Sequence, residues 1–140
     1  EGGVEVTGVM AGAGCARAKT GDGRVSADNV PAASGITVHQ DRVFMDECGP
    51  GGRLFELYPD GSEPRVIAEN LPLPNALSVG PDGLLYFPEI AAGEIWRCPI
   101  EGGVPERFMD GFAVPTAVKF DRNGLLTVTQ AATEIGRAHV

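Results

Sequence analysis

The sequence predicts an all-β chain built from repeated four-stranded antiparallel units, the architecture of a β-propeller. Two observations lead to this prediction. Glycine and proline are frequent, at 20 and 11 of 140 residues, and they are spread along the whole chain, so the elements must be short and joined by turns. The sequence also matches itself without a gap at an offset of 41 residues. Four-stranded units with a period of about 40 to 45 residues are typical of propeller blades.

The register of the repeat is set by turn glycines and by apolar residues. Residues 52–67 fall on residues 93–108, and Ser34, Asn75 and Thr116 occupy equivalent positions in three successive periods. Helical repeats would need an uninterrupted 3.6-residue periodicity, which the glycine and proline spacing breaks. The repeat therefore favours stacked β units.

Each period holds four short strands. In the second full period they are predicted at residues 77–79, 84–87, 94–98 and 106–109, with a hairpin turn at Asp82-Gly83. The register divides the chain into a partial blade, two blades, a second partial blade and a tail, at residues 1–33, 34–74, 75–115, 116–133 and 134–140.

The chain holds too few periods for a closed ring, because propellers have at least four blades. We therefore expect a fragment of a larger propeller with a truncated N-terminus. The tail, Glu134-Ile-Gly-Arg-Ala-His-Val140, matches the translation of a common sequencing adapter and is predicted to be non-native. The alternative is a further repeat, since Glu134-Ile135 also falls on Glu94-Ile95 at an offset of 40 residues.

The charge and the apolar content of the chain argue against two classes of partner, nucleic acid and membrane. The chain has 19 acidic and 11 basic side chains and a formal charge of −8, with the cations scattered singly. A surface that follows nucleic-acid phosphates needs clustered cations, so nucleic acid is not expected as a partner. No apolar run reaches the roughly 20 residues of a membrane span, so a soluble protein without a membrane partner is expected. No targeting segment is visible, and the compartment stays open.

The second full period resembles a known family. Residues 73–87, Leu-Pro-Asn-Ala-Leu-Ser-Val-Gly-Pro-Asp-Gly-Leu-Leu-Tyr-Phe, with Gly-Glu-Ile-Trp-Arg at 93–97 and Glu-Gly-Gly at 101–103, resemble the senescence marker protein, gluconolactonase and luciferin-regenerating-enzyme family. The resemblance covers residues 34 to about 130. Its strand-and-turn part is shared with streptogramin-lyase-like and NHL repeats.

The resemblance implies a six-bladed parent with one divalent cation in its central channel, which acts on sugar lactones or related esters. Ca²⁺ is the expected cation, with Zn²⁺ and Mg²⁺ as alternatives. The segment Pro74-Asn75-Ala76-Leu77 resembles the family's Pro-Asn-Gly-Leu, whose Asn starts the innermost strand and binds the metal. Asn75 is therefore the predicted metal ligand, although an Asn at a strand start is also a common turn-forming residue.

Two positions depart from the family pattern. Ser34 and Thr116 stand where the family carries a further Asn and a ligating Asp, so they are predicted to line the channel rather than to bind the cation. A hydroxyl cannot serve as a base near neutral pH, so no catalytic residue is assigned. Glu89 and the pair Asp46-Glu47 follow the second strand of their units and could face the same end, but solvated loop carboxylates are the expectation.

Two functions remain open at this stage. The first is a metal-dependent, gluconolactonase-like hydrolase that takes a small lactone or sugar-derived substrate. The second is a non-catalytic propeller that binds a ligand or a protein through its top-face loops. In either case the 140-residue chain alone is expected to bind no cation and to be inactive, because an open arc cannot surround a metal ion.

Overall fold

The computed structural model describes residues 4–7, 15–20 and 25–131, with side chains from residue 32 onward. Every regular element within these residues is a β-strand. The strands of the first half are β1 (Val4–Thr7), β2 (Cys15–Thr20), β3 (Val25–Pro31), β4 (Ala33–His39), β5 (Arg42–Glu47), β6 (Gly52–Leu57) and β7 (Arg65–Leu71). Those of the second half are β8 (Ser78–Val79), β9 (Leu84–Glu89), β10 (Glu94–Pro99), β11 (Glu106–Met109), β12 (Pro115–Phe120) and β13 (Leu126–Gln130).

The strands form four antiparallel sheets in which sequence neighbours pair. We number the sheets I to IV, with the orders β1-β2-β3, β4-β5-β6-β7, β8-β9-β10-β11 and β12-β13. The predicted all-β architecture of four-stranded antiparallel sheets is confirmed, and in sheet III the four strands lie where the repeat puts them. The predicted non-native tail, residues 134–140, lies outside the described residues. No helix in the described part of the chain is long and apolar enough to cross a membrane.

An Asp-Gly pair closes the β8-β9 hairpin, where the sequence predicts it, and an Asn-Gly pair closes the β12-β13 hairpin. Gly83 and Gly124 both adopt positive φ values, of 79° and 80°. The carboxylate of Asp82 accepts a hydrogen bond from the backbone N–H of Leu84 at 3.1 Å, which fixes the turn. Turn carboxylates that bind backbone amides in this way hold the hairpin.

A glycine begins the third strand of sheets II and III for a steric reason. A Cβ atom on Gly52 would lie 2.3 Å from the carbonyl oxygen of Glu47 and 2.8 Å from the ring of Pro74. On its repeat equivalent, Gly93, a Cβ atom would lie 2.5 Å from the carbonyl oxygen of Phe112. In both sheets the linker to the next sheet passes over this glycine, so the repeat preserves it.

The core lies between successive sheets. One apolar cluster joins sheets II and III, and its members include Phe44, Leu54, Ile67, Leu77, Leu85, Phe87 and Cys98. A second cluster joins sheets III and IV and contains Tyr86, Ile95 and Val118. Burial of one such side chain contributes about 1.5 to 3 kcal/mol. Apolar residues on both faces of a sheet are therefore part of the core.

A charged network ties sheet II to sheet III at the end of the sheets that carries the β4-β5 hairpin. Glu56 accepts hydrogen bonds from Arg42 at 2.6 Å and from Arg65 at 2.7 Å. Arg65 also donates to the carbonyl oxygen of Ile100 at 2.8 Å, and Arg42 pairs with Glu101 at 2.6 Å. Hydrogen bonding from Arg42, together with Arg65, lowers the pKa of Glu56 to about 2. The network holds the two sheets together away from the candidate site.

Candidate functional site

The three repeat-equivalent residues predicted at the site lie at one end of the sheets, which we call the upper end. Ser34 and Thr116 are the second residues of β4 and β12. Asn75 precedes β8, and its backbone N–H donates to the carbonyl oxygen of Pro88 at 3.1 Å. The regular strand in sheet III begins only at Ser78, because Ala76 has a positive φ of 36° that interrupts the pairing. Asn75 thus sits just ahead of the innermost strand instead of within it.

A row of contacts joins these residues across three sheets. The hydroxyl of Ser34 contacts Oδ1 of Asn75 at 2.5 Å, and Nδ2 of Asn75 donates to the carbonyl oxygen of Thr116 at 2.9 Å. The hydroxyl of Thr116 turns instead to Thr129 of the neighbouring strand, at 3.0 Å between the two hydroxyl oxygens. Thr116 therefore takes part in the row through its backbone, and Ser34 and Asn75 through their side chains. Ser34 is solvent-exposed, so the row is open to solvent at that residue.

A buried carboxylate lies against this row. Asp46, in β5, is 0% exposed, and its Oδ2 accepts a hydrogen bond from the hydroxyl of Ser34. Its Oδ1 has no hydrogen-bond partner of normal geometry. Burial raises the pKa of Asp46 to about 6, and the hydrogen bond from Ser34 and the nearby backbone amides of Leu77 and Gly35 offset part of the rise.

The oxygens of this cluster outnumber its hydrogens. The single hydroxyl hydrogen of Ser34 faces two acceptors, Oδ2 of Asp46 and Oδ1 of Asn75, and can bond only one of them at a time. A proton on Asp46 or a cation among the three oxygens would remove this mismatch. The cluster is thus a place where positive charge is favoured.

Gly35 makes room for the carboxylate. A Cβ atom at Gly35 would lie 2.4 Å from Oδ1 of Asp46 and 2.5 Å from Cα of Ala76. The repeat equivalents of Gly35 are alanines, while those of Asp46 are Phe87 and a valine. Glycine and carboxylate therefore occur together in sheet II, and neither occurs at its equivalent position in sheets III and IV.

A second buried carboxylate, Glu89, has a different surrounding. Glu89 is 0% exposed, and its Oε2 accepts the backbone N–H of Leu73 at 2.7 Å, while Oε1 has no partner. Its repeat equivalent is Gln130, whose Oε1 accepts the backbone N–H of Ala113 at 2.6 Å. In both sheets the side chain accepts a hydrogen bond from a backbone N–H of the linker that enters the sheet. Burial raises the pKa of Glu89 to about 7.

The expectation of solvated loop carboxylates is thus wrong for two of the three acidic residues. Asp46 and Glu89 are buried within strands, and only Glu47 follows the expectation in part, since it is half-buried and pairs with Arg53 at 2.6 Å. The signal for Asp46 was present in the sequence, because the repeat sets a carboxylate at a position that is apolar in the other two periods.

The donor set fits a hard divalent cation better than zinc. Within residues 25–131 and the two short strands before them, no three His, Cys, Asp or Glu side chains lie together as a metal-binding group. The oxygens of Asn75, Ser34 and Asp46 do lie together, and Ca²⁺ takes carboxylate, amide and other neutral oxygens. These residues would supply part of a coordination shell, since Ca²⁺ needs six to eight oxygens.

Comparison with known proteins defines the class of fold. No family model and no curated protein matches the chain. Among solved structures, a streptogramin B lyase is 19% identical over 85% of this chain and 42% of its own, with a TM-score of 0.65. A gluconolactonase-family protein is 16% identical over 81% of this chain and 52% of its own, with a TM-score of 0.59. An inactive virginiamycin B lyase from Staphylococcus aureus, solved with quinupristin, is 16% identical over 93% of this chain and 39% of its own, with a TM-score of 0.54.

These likenesses establish the fold. The first two proteins are β-propellers, and the sheets of this chain follow the same architecture. The chain spans between 39% and 52% of the length of the three proteins. At these identities the comparison carries no activity over to this chain.

Proposed function

We propose that this chain is part of a six-bladed propeller hydrolase that opens sugar lactones or related cyclic esters with the help of a divalent cation, Ca²⁺ in the first instance. The observation that carries the proposal is the row of contacts from Ser34 through Asn75 to Thr116, with a buried carboxylate against it. The similarity to a gluconolactonase-family structure supports the choice of a lactone as substrate.

Each residue of the row has a distinct task. Asn75 would hold the cation through Oδ1, while its Nδ2 donates to Thr116 and so fixes which side of the amide faces the site. Ser34 presents a hydroxyl oxygen beside Oδ1 and lines the channel. Thr116, whose hydroxyl bonds Thr129, lines the channel with its backbone. When bound, a cation of this kind polarises an ester carbonyl or lowers the pKa of a water molecule.

The proposal is tested by calcium titration calorimetry and by hydrolysis of glucono-1,5-lactone, both with the complete protein that contains this chain. We expect binding near one equivalent, and Asn75→Ala should weaken it by about ten-fold or more together with turnover. Thr116→Val is the matched control. It keeps the carbonyl that Asn75 needs and removes only the hydroxyl, so cation affinity should stay within about two-fold.

The outcomes separate the two functional classes. An intact, folded protein that binds no divalent cation would exclude the hydrolase proposal and favour a propeller that binds a ligand or protein through its top-face loops. Micromolar calcium binding by the 140-residue chain alone would contradict the expectation that the remaining ligands come from other blades.

A further inference from the structure

We infer that Asp46 is the carboxylate ligand of the cation site that begins at Asn75. This inference rests on the proposed function and assigns to it a residue on the second strand of sheet II. The family pattern would place the carboxylate on an innermost strand, at the position of Thr116. Within the described residues, Asp46 is the carboxylate that contacts the row.

The contacts place the relevant oxygens around one atom. Oδ2 of Asp46 and Oδ1 of Asn75 both touch the hydroxyl oxygen of Ser34, which has only one hydrogen to share between them. Replacement of that hydrogen bonding by a cation would satisfy all three oxygens at once, because each carries a free lone pair. Two acceptors directed at one hydroxyl are therefore the arrangement expected of oxygen ligands to one cation.

Burial supports a functional role over a solvated one. Asp46 is 0% exposed and has an unpartnered Oδ1, which costs free energy unless something positive compensates it. No Lys or Arg pairs with Asp46 in the described residues. The donors around Asp46 are neutral, namely the hydroxyl of Ser34 and the backbone amides of Leu77 and Gly35, so a proton or a bound cation is what would neutralise the carboxylate.

The repeat shows that sheet II is specialised for this carboxylate. Asp46 replaces the apolar residues of the other sheets, and Gly35 replaces their alanines at the one place where a Cβ atom would meet Oδ1 of Asp46 at 2.4 Å. A purely structural repeat position would keep Phe or Val, as Phe87 does with 0% exposure. Glycine and carboxylate thus replace alanine and an apolar residue together, and only in sheet II among the three repeat positions. This joint change indicates a site that is specific to one blade.

Glu89 offers the matched control. It is as buried as Asp46 and also has one unpartnered oxygen, but its other oxygen accepts a hydrogen bond from the backbone N–H of Leu73. In sheet IV the amide oxygen of Gln130 likewise accepts a backbone N–H from the preceding linker. Glu89→Gln should therefore preserve both the fold and the cation affinity. If the removal of any buried carboxylate were enough to weaken calcium binding, Asp46→Asn and Glu89→Gln would both bind calcium more weakly.

The experiment measures calcium affinity by calorimetry for the complete protein and for Asp46→Asn, Asn75→Ala and Glu89→Gln, with thermal unfolding as the check on folding. We expect Asp46→Asn and Asn75→Ala each to weaken binding by about ten-fold or more and Glu89→Gln to leave it within about two-fold. If Asn75→Ala weakens binding and Asp46→Asn does not, the assignment of Asp46 is overturned while the proposed function stands. If the wild type binds no cation, both fail together.

A second measurement avoids the risk that Asp46→Asn does not fold. In the wild-type protein with ¹³C-labelled aspartate and glutamate, calcium should shift the carboxyl resonance of Asp46 and leave that of Glu89 unchanged. An Asp46 resonance that stays in place at saturating calcium would overturn the assignment.

Discussion

Sheets II and III are built on the same backbone plan, yet they use their upper ends differently. In sheet II the upper end carries Ser34, Gly35 and Asp46, whereas in sheet III the equivalent positions hold Asn75, Ala76 and Phe87. The core below these positions is continuous between the sheets. The repeat thus keeps the packing between blades, while the residues around the start of the innermost strand differ in chemistry from one blade to the next.

The largest expected effect comes from the transfer of the sheet II carboxylate into sheet III. Phe87→Asp would remove a fully buried ring and leave a carboxylate without a partner in the apolar core between sheets II and III. Loss of the ring alone costs about 3 to 5 kcal/mol, and the unpaired carboxylate adds to this cost. Urea unfolding should report an unfolded or barely folded protein. Phe87→Leu, which keeps an apolar side chain, should lose less than half as much, and equal losses would show that burial of the charge is unimportant.

The next effect concerns Glu56 and its two arginine partners. At the equivalent positions sheet III carries one charge-reversed pair, Arg97 with Glu106 at 2.7 Å, in place of Glu56 with Arg65. The pKa of Glu56 is lowered to about 2 from 4.5, so it stabilises the fold above about pH 4.5, and this contribution is lost as the pH falls toward 2. We expect about 2 to 3 kcal/mol, since Glu56 is buried while its two arginine partners are about one-third exposed. Chemical denaturation from pH 7 to pH 2 measures this loss, and Glu56→Gln should flatten the curve below pH 4.5. If the free energy of unfolding of that variant fell with pH as steeply as that of the wild type, other groups would be responsible for the acid destabilisation.

Glu89 gives a smaller effect of the opposite sign. Its pKa is raised to about 7 from 4.5, so the folded state holds the proton more tightly than the unfolded state. Stability from this group is present below about pH 4.5 and is lost as the pH rises through about 7. Glu89→Gln, which copies Gln130, should therefore stabilise the protein by about 1 to 2 kcal/mol at pH 8 and change little at pH 4. Thermal unfolding at the two pH values tests this, and destabilisation at pH 8 would mean that a partner stabilises the charged form of Glu89.

The smallest effects separate the two hairpins that follow the innermost strands. Sheet II uses Gln40 and Asp41 with positive φ values of 49° and 60°, whereas sheet III uses Gly83 with a φ of 79°. Gly83→Ala should cost about 1 kcal/mol, because the space is open and only the left-handed backbone is strained. Asp41→Gly should stabilise by about 0.5 kcal/mol, because glycine relieves the same strain. The urea midpoints of Gly83→Ala and Asp41→Gly measure these two effects. Shifts of the same sign would contradict the argument that positive φ strains a non-glycine residue.

Much of the fold could be predicted from the sequence because its information is local and repeated. The turn pairs, the strand-forming segments and the offset of 41 residues all recur, so each period supports the interpretation of the others. The positive φ of Ala76, just ahead of the innermost strand of sheet III, was not predicted. Ala76 lies against Gly35 of sheet II, where a Cβ atom would come within 2.5 Å of its Cα, and such a tertiary contact has no local sequence signal.

The candidate site was predicted in part. The register identified Ser34, Asn75 and Thr116 as neighbours at the start of the innermost strands, and their contacts follow that order. The side-chain directions could not be predicted, since the turn of Thr116 toward Thr129 depends on a strand partner and not on the motif. Asp46 is predicted as a loop carboxylate from its acidic character alone, although its apolar repeat equivalents, Phe87 and Val128, indicate the buried strand position that the structure has.

The side-chain amide of Asn75 also makes the molecule sensitive to chemical ageing. Its two ends are not interchangeable, because Oδ1 faces the hydroxyl of Ser34 and Nδ2 faces the carbonyl of Thr116. Deamidation would turn the donor into a second acceptor opposite that carbonyl and would add a negative charge to a cluster that already contains Asp46. Deamidation at this position would thus remove the hydrogen bond that joins sheets III and IV at their upper ends, while the apolar core between those sheets would remain.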